Sequence, residues 1–316
     1  MAAAVEAAKT VCGTGAGPLG GSRGNHLTMT AWGGQKFIRS LRGLVQERQR
    51  LADYVCQIER FNASQQNSAL LNDIRQYNHH CVDSLARSIP LRRKRLLEIG
   101  ASPHGYSLER ALAHGVREYV GVGLDIDQAV EVRGARSRGR LLRMDATQLE
   151  FKTASFDAVL SISTFEHISD VPAVLGEIRR VLRSGGVGLV TFEPVWTCSY
   201  GHHLHHFGTI SKLMPDWAHL LWTKEQMLDA LKDVWPEGVS PSLPEAAAWV
   251  HDSPALNRVD VRRMRQFFRD CGMTIRWMVS MEDQARDPAR LRLVSEAVQM
   301  SPEDLMTKGL SVFLAK

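Results

Sequence analysis

The sequence predicts an α/β protein with a doubly wound parallel sheet, and three observations carry that expectation. Beyond Pro90, short apolar runs alternate with longer amphipathic ones, the pattern of strands and helices laid around a parallel sheet. The first of those runs opens onto a loop bounded by Gly100 and Gly105 and then a helix-like stretch. Of 316 residues, 44% are hydrophobic and 23% charged, a balance that fits a globular chain and excludes a disordered or fibrous one.

Residues 1–35 carry much Gly and Ala and few large apolar side chains, so they are expected to form a flexible tail. Their start lacks the basic residues and leucine-rich stretch of a secretory signal, which favours a cytoplasmic protein. Residues 36–90 place Leu41, Leu44, Val45, Leu51, Val55, Ile58, Ile74, Val82 and Leu85 near three- and four-residue spacings, an N-terminal helical extension. Its expected role is packing on the main domain, with a substrate lid or a homodimer arm as the alternatives.

Residues 91–195 form the core, with strands expected at 95–99, 118–124, 140–144, 156–162 and 186–192. Helices are expected near 106–114, 129–132 and 171–182, the last closed by a left-handed glycine at Gly185-Gly186. Residues 196–272, rich in His, Trp and Pro, read as an insertion after the fifth strand that covers substrate, with helical pieces at 224–234 and 258–270. Residues 273–316 return to the sheet through strands at 273–281 and 310–315.

No run approaches the eighteen or so apolar residues of a membrane span. Five scattered cysteines without a Cys-x-x-Cys pair give neither a disulfide framework nor a zinc-thiolate site. A net charge of +5, from 39 basic against 34 acidic residues, is too mild to indicate nucleic acid.

The chemistry begins at the loop of residues 100–105. A dinucleotide site wants a glycine at its middle position to make room for the diphosphate, and here that position is Ser102, followed by Pro103. A cofactor without phosphates, such as S-adenosylmethionine, needs less clearance and can use the same helix-terminal N–H groups for its carboxylate. Asp125 and Asp127 follow the second strand, where a carboxylate accepts from both ribose hydroxyls. Asp145-Ala146 follows the third, within reach of an adenine amino group. Taken singly, each of these acids also reads as a turn or cap residue.

In order, Leu96-Leu-Glu98-Ile-Gly100, Gly123-Leu-Asp125-Ile-Asp127, Met144-Asp145-Ala146, Ser155-Phe-Asp157-Ala-Val-Leu160 and Leu182-Arg-Ser-Gly-Gly186 resemble the motifs of class I S-adenosylmethionine-dependent methyltransferases. The resemblance implies a Rossmann-like seven-stranded sheet with the last strand antiparallel and the cofactor over the ends of the first strands. It implies that Glu98, Gly100 and Gly105 shape the methionine pocket, with Ala101, Ser102, Ala146 and Ser163 as neighbouring cofactor positions. Asp125 would hold the ribose, with Asp127 as its substitute, and Asp145 the adenine.

After the fourth strand, Phe165-Glu166-His167-Ile168 resembles the type-11 small-molecule branch of that family, and the Asn-Pro-Pro-Tyr type motif of many base methylases is absent. His167 is the candidate general base, since an imidazole titrates near neutral pH; packing is its alternative. In the insertion, Trp196, His202, His203, His206, His219 and Trp222 are the candidate substrate-lining residues. His202 and His206 would share a face in a helix, yet no acid or cysteine beside them completes a ligand set, so no metal ligand is assigned. The expected activity is methyl transfer from S-adenosylmethionine to a small molecule, at oxygen rather than nitrogen or carbon. Methylation of RNA or protein, and a non-catalytic binding protein on the same fold, are the alternatives; an NAD(P)-dependent oxidoreductase is disfavoured by Ser102.

Overall fold

A computed structural model describes residues 68–134, 136–204, 210, 213–283 and 287–316. The expected tail of residues 1–35, residues 36–67 of the helical extension, and His206 lie outside the described residues. The first half runs through α1 (Ser68–Ser88), β1 (Arg95–Ile99), α2 (Tyr106–Ala113), β2 (Glu118–Gly123), β3 (Val130–Arg133), β4 (Arg138–Arg143), β5 (Phe156–Ile162), α3 (Val171–Val181) and β6 (Leu182–Phe192). There follow α4 (Ala218–Leu221), α5 (Lys224–Leu231), α6 (Leu243–Asp252), α7 (Val261–Asp270), β7 (Thr274–Glu282), α8 (Pro288–Val298), α9 (Pro302–Leu305) and β8 (Thr307–Ala315).

The strands form one sheet in the order β3-β4-β2-β1-β5-β6-β8-β7. The five from β4 to β6 in that order are parallel, and β8 lies antiparallel between β6 and β7. Strand order runs outward from β1 on one side and from β5 on the other, so a crevice opens between their carboxyl ends. The last strand is antiparallel, as expected, and the sheet has eight strands rather than seven.

The additional strand is β3, where a helix near residues 129–132 was expected. Val130 and Val132 alternate with Glu131 and Arg133, a period of two that a short helix assignment overlooks. Paired antiparallel with β4, the segment turns its valines toward the core, while Glu131 meets Arg133 and Arg138 on the solvent side. The end of α3 also differs. Leu182 is already extended and pairs with Phe156, so the helix stops by entering the sheet. Gly185 does take a left-handed φ of 72°, but within β6.

The period of two along the strands sorts the core onto both faces. Leu97, Ile99 and Val159 face α3, α7 and α8, whereas Leu96, Ala158 and Leu160 face α1 and α2. On the first face, Phe268 of α7 stacks on Phe165 at 5.5 Å. On the second, Cys81, Val82 and Leu85 bury the described part of the helical extension against the main domain. Arg110 of α2 clasps Asp83 through two nitrogens, which orients α1. Within the insertion, Met227, Leu231, Ala246, Ala247 and Val250 form a smaller core of their own.

Candidate active site

At the carboxyl end of β1, Glu98 is buried, and the Tyr119 hydroxyl donates to its Oε2. Ser107 Oγ lies 2.9 Å from Glu98 Oε1 and equally 2.9 Å from Asn78 Oδ1, although one hydroxyl hydrogen cannot serve both. A proton on Glu98 resolves this: the carboxyl donates to Ser107, which donates to Asn78. Burial pushes the Glu98 carboxyl up to about 7, only partly opposed by the hydrogen bonds that Tyr119 and Ser107 can give its charged form.

The following loop is shaped by two glycines with left-handed backbone, Gly100 at φ 75° and Gly105 at φ 67°. Gly100 is held against Thr164: a Cβ there would lie 1.9 Å from Thr164 Oγ1. Gly105 caps α2 without a side-chain hydrogen bond, at the helix end whose N–H groups and dipole favour an anion. Ala101 is buried over Gly121 and Gly123, and Ser102 Oγ accepts from the His104 N–H at 3.2 Å.

The candidate nucleoside-binding acids stand on neighbouring strands. Asp125 and Asp127 are exposed in the turn after β2, and Asp127 faces Arg143 at 3.6 Å. Asp145, after β4, is exposed, and its Oδ1 accepts from the Thr147 N–H and hydroxyl, each at 2.8 Å; half-buried Ala146 adjoins it. Across the crevice, exposed Ser163 has a φ of 44° and its N–H donates to Thr191 O at 2.9 Å.

Beyond Ser163 the chain makes a tight turn, with the His167 N–H bonded to Thr164 O. The insertion grips this turn. Asn257 Nδ2 donates to Phe165 O at 2.6 Å and to Ile168 O at 3.0 Å, and its backbone N–H donates to Glu166 O. His167 Nδ1 in turn donates to Ala255 O at 2.8 Å. Substituting Asn257→Ala should therefore cost about 1–3 kcal/mol, the usual consequence of stranding buried carbonyls, in a urea titration; an unchanged midpoint would contradict the clamp.

The histidines of the insertion divide. His203 is buried and sits 5.1 Å, ring to ring, from His167. His202 faces His219 at 5.4 Å, and His219 packs edge-on against Trp196 at 4.7 Å while donating from Nε2 to Trp196 O. Burial pushes the His219 imidazole down to about 4, so it is neutral. Trp196 and Trp222 both pack against the small core of the insertion. Among the described residues of the expected substrate set, His203 is the one brought to His167.

Two residues passed over in the sequence also stand here. Buried Glu166, within the same Phe-Glu-His-Ile run as His167, has a carboxyl held well above the ordinary range by burial, with Glu193 adding to the effect. Tyr77 of α1 reaches Thr191 at the end of β6, their hydroxyls 3.2 Å apart.

Residues 97–190, which run from β1 into β6, match a family described as a methyltransferase domain. This segment is a methyltransferase domain by its sequence. An uncharacterized methyltransferase of Mycobacterium sp. strain JLS is 32% identical over 34% of this chain and 42% of its own length. A malonyl-[acyl-carrier protein] O-methyltransferase of Legionella pneumophila is 29% identical over 31% of this chain and 36% of its own. A fatty-acid O-methyltransferase of Mycolicibacterium smegmatis is 29% identical over 38% and 44%, respectively. The chain thus spans less than half the length of these relatives. The methyltransferase domain contains Glu98, Asp125, Asp145, Glu166 and His167, whereas Tyr77, His203 and Asn257 come from the flanking segments.

Proposed function

We propose that the protein is a cytoplasmic S-adenosylmethionine-dependent methyltransferase that methylates an oxygen of a small molecule. The observation that carries this reading is the gathering of Glu98, the loop of residues 100–105, Asp125 and Asp145 at the carboxyl ends of the adjacent strands β1, β2 and β4. The donor set fits the cofactor. Glu98 offers a buried carboxyl to an ammonium group, the uncapped start of α2 offers N–H groups to a carboxylate, and Asp125 or Asp127 offers acceptors to a ribose. Asp145, with one oxygen bonded to Thr147, keeps the other for an adenine amino group. Bound S-adenosylmethionine supplies an electrophilic methyl group.

The acceptor is assigned to the side of the crevice bordered by Ser163, Glu166, His167 and His203. There the protein's main task is to align the acceptor oxygen and exclude water. His167, with its proton fixed on Nδ1 by Ala255 O, carries its lone pair on Nε2 and can receive a hydroxyl proton there. The two relatives whose names specify O-methylation support oxygen as the accepting atom. Among the described residues no helix is long and apolar enough to cross a membrane.

Isothermal titration of metal-stripped protein tests the reading. S-adenosylmethionine should bind saturably and NADH should not, and Asp125→Ala should weaken the former by about tenfold or more, as expected for lost hydrogen bonds to a charged group. Absence of binding by the unaltered protein, or saturable binding of NADH instead, would overturn the assignment.

A further inference from the structure

We propose that Glu166, His167 and His203 form a binding site for one divalent transition-metal ion of the Zn2+ type at the acceptor end of the crevice. Each presents one nitrogen or carboxylate oxygen, and the three atoms lie within 4.8 Å of one another. Two imidazoles and one carboxylate, with further positions open, are a donor set suited to Zn2+ and neighbouring first-row ions; Mg2+ and Ca2+ prefer oxygen throughout. Ligands at about 2.0–2.2 Å from an ion stand roughly 3–3.5 Å apart, a spacing that the 4.8 Å bound admits. His167 is exposed while the other two are buried, so the open coordination positions lie on its side.

Both rings are set for coordination. His167 Nδ1 lies 2.8 Å from Ala255 O, and His203 Nδ1 lies 2.6 Å from Gly201 O. A carbonyl oxygen only accepts, so each Nδ1 carries the hydrogen and each Nε2 the lone pair, the usual arrangement behind a metal-bound histidine. His203 is held at a φ of 61°, a conformation that a non-glycine residue adopts at a cost and that recurs at functional sites.

Glu166 gives the independent indication. The residue is only 4% exposed, and its Oε2 is buried without a hydrogen-bond partner. An unanswered carboxylate oxygen in the interior is costly, and a cation beside it supplies the missing partner. The sequence conceals this set because its members come from two distant segments, while the histidine run at residues 202–206 draws attention to neighbours that face different ways.

The consequence for substrate rests on the methyltransferase reading: the open positions would take an acceptor oxygen, from a hydroxyl or a carboxylate. Coordination lowers the pKa of a bound hydroxyl, so with the ion present His167 would serve as a ligand in place of the base, its Nε2 lone pair being taken up, and the proton would leave to solvent.

The test titrates chelator-stripped full-length protein with ZnCl2 by calorimetry and with CoCl2 by visible absorption, and measures S-adenosylmethionine binding in parallel. One ion per chain is expected, weakened more than about tenfold by Glu166→Gln, His167→Asn and His203→Asn and unchanged by His80→Gln on the exposed side of α1. Glu166→Gln and His167→Asn decide the matter should the buried His203 variant fail to fold, as circular dichroism will report. No stoichiometric ion, an ion retained by Glu166→Gln and His167→Asn, or one lost with His80→Gln would overturn the site. Cofactor binding without metal binding sinks this inference alone, and metal binding without cofactor binding sinks the proposed activity alone.

Discussion

Replacing Gly100 with alanine is expected to destabilise the protein by about 2–5 kcal/mol and to abolish S-adenosylmethionine binding. Two costs combine. A left-handed backbone at φ 75° costs an L-residue with a Cβ about 1–2 kcal/mol, and forcing atoms into a filled space costs about 1–3 kcal/mol more. The overlap is severe because the Thr164 side chain occupies that space, with its Oγ1 at 1.9 Å, Cγ2 at 2.3 Å and Cβ at 2.6 Å from the added carbon. Thr164 cannot readily swing away, since its hydroxyl donates to Ile162 O at 2.8 Å. Whatever relief occurs must push apart the loop after β1 and the turn after β5, the two walls of the crevice. Adding Thr164→Gly to Gly100→Ala should recover the overlap cost and leave the backbone cost. Guanidinium unfolding separates these contributions, and a Gly100→Ala protein within about 0.5 kcal/mol of the unaltered one would refute the account.

The carboxyl-end crevice is legible in the sequence because strands leave strong local marks. All seven residues of β5 are buried, and the run from Phe156 to Ile162 is apolar apart from Asp157 and Ser161. The first of these exceptions is satisfied by the Arg95 N–H at 2.7 Å, the second by a bond from its own hydroxyl to Ile99 O. Val130 to Arg133 misleads because four residues at a sheet edge are too short for either period to dominate. The acceptor side is illegible for a different reason. Asn257 and Ala255 grip a turn far away in the chain, and His203 meets His167 across a shorter but still non-local gap, so no spacing rule reaches them. Four closely spaced histidines suggest a common task, yet His202 and His203 point to different partners.

Glu98→Gln should remove most of the protein's loss of stability between weakly acidic and neutral pH that arises at this site. In the fold Glu98 titrates near 7 instead of its ordinary 4.5, with burial as the main cause. A raised carboxyl favours the fold while protonated. Its contribution is fully present below about pH 4.5 and disappears as pH rises through about 7, a swing on the order of 3 kcal/mol. Glutamine preserves the geometry without the titration, since its carbonyl can accept from Tyr119 and its amide can donate to Ser107, leaving the Ser107 hydroxyl for Asn78. Unfolding curves for the two proteins should therefore run parallel in acid and separate above about pH 5, with the variant the more stable at pH 8. A constant gap across that range would place the pH dependence elsewhere. The same substitution bears on function with the opposite sign. If the charged form of Glu98 receives the cofactor's ammonium group, binding near pH 6 must expel the proton that links Glu98 to Ser107. Calorimetry in buffers of different ionisation enthalpy should then register proton release by the unaltered protein and none at this site by Glu98→Gln, whose affinity is expected to fall. Stability gained and binding lost in one variant would identify Glu98 as a carboxyl kept buried for its ligand rather than for the fold.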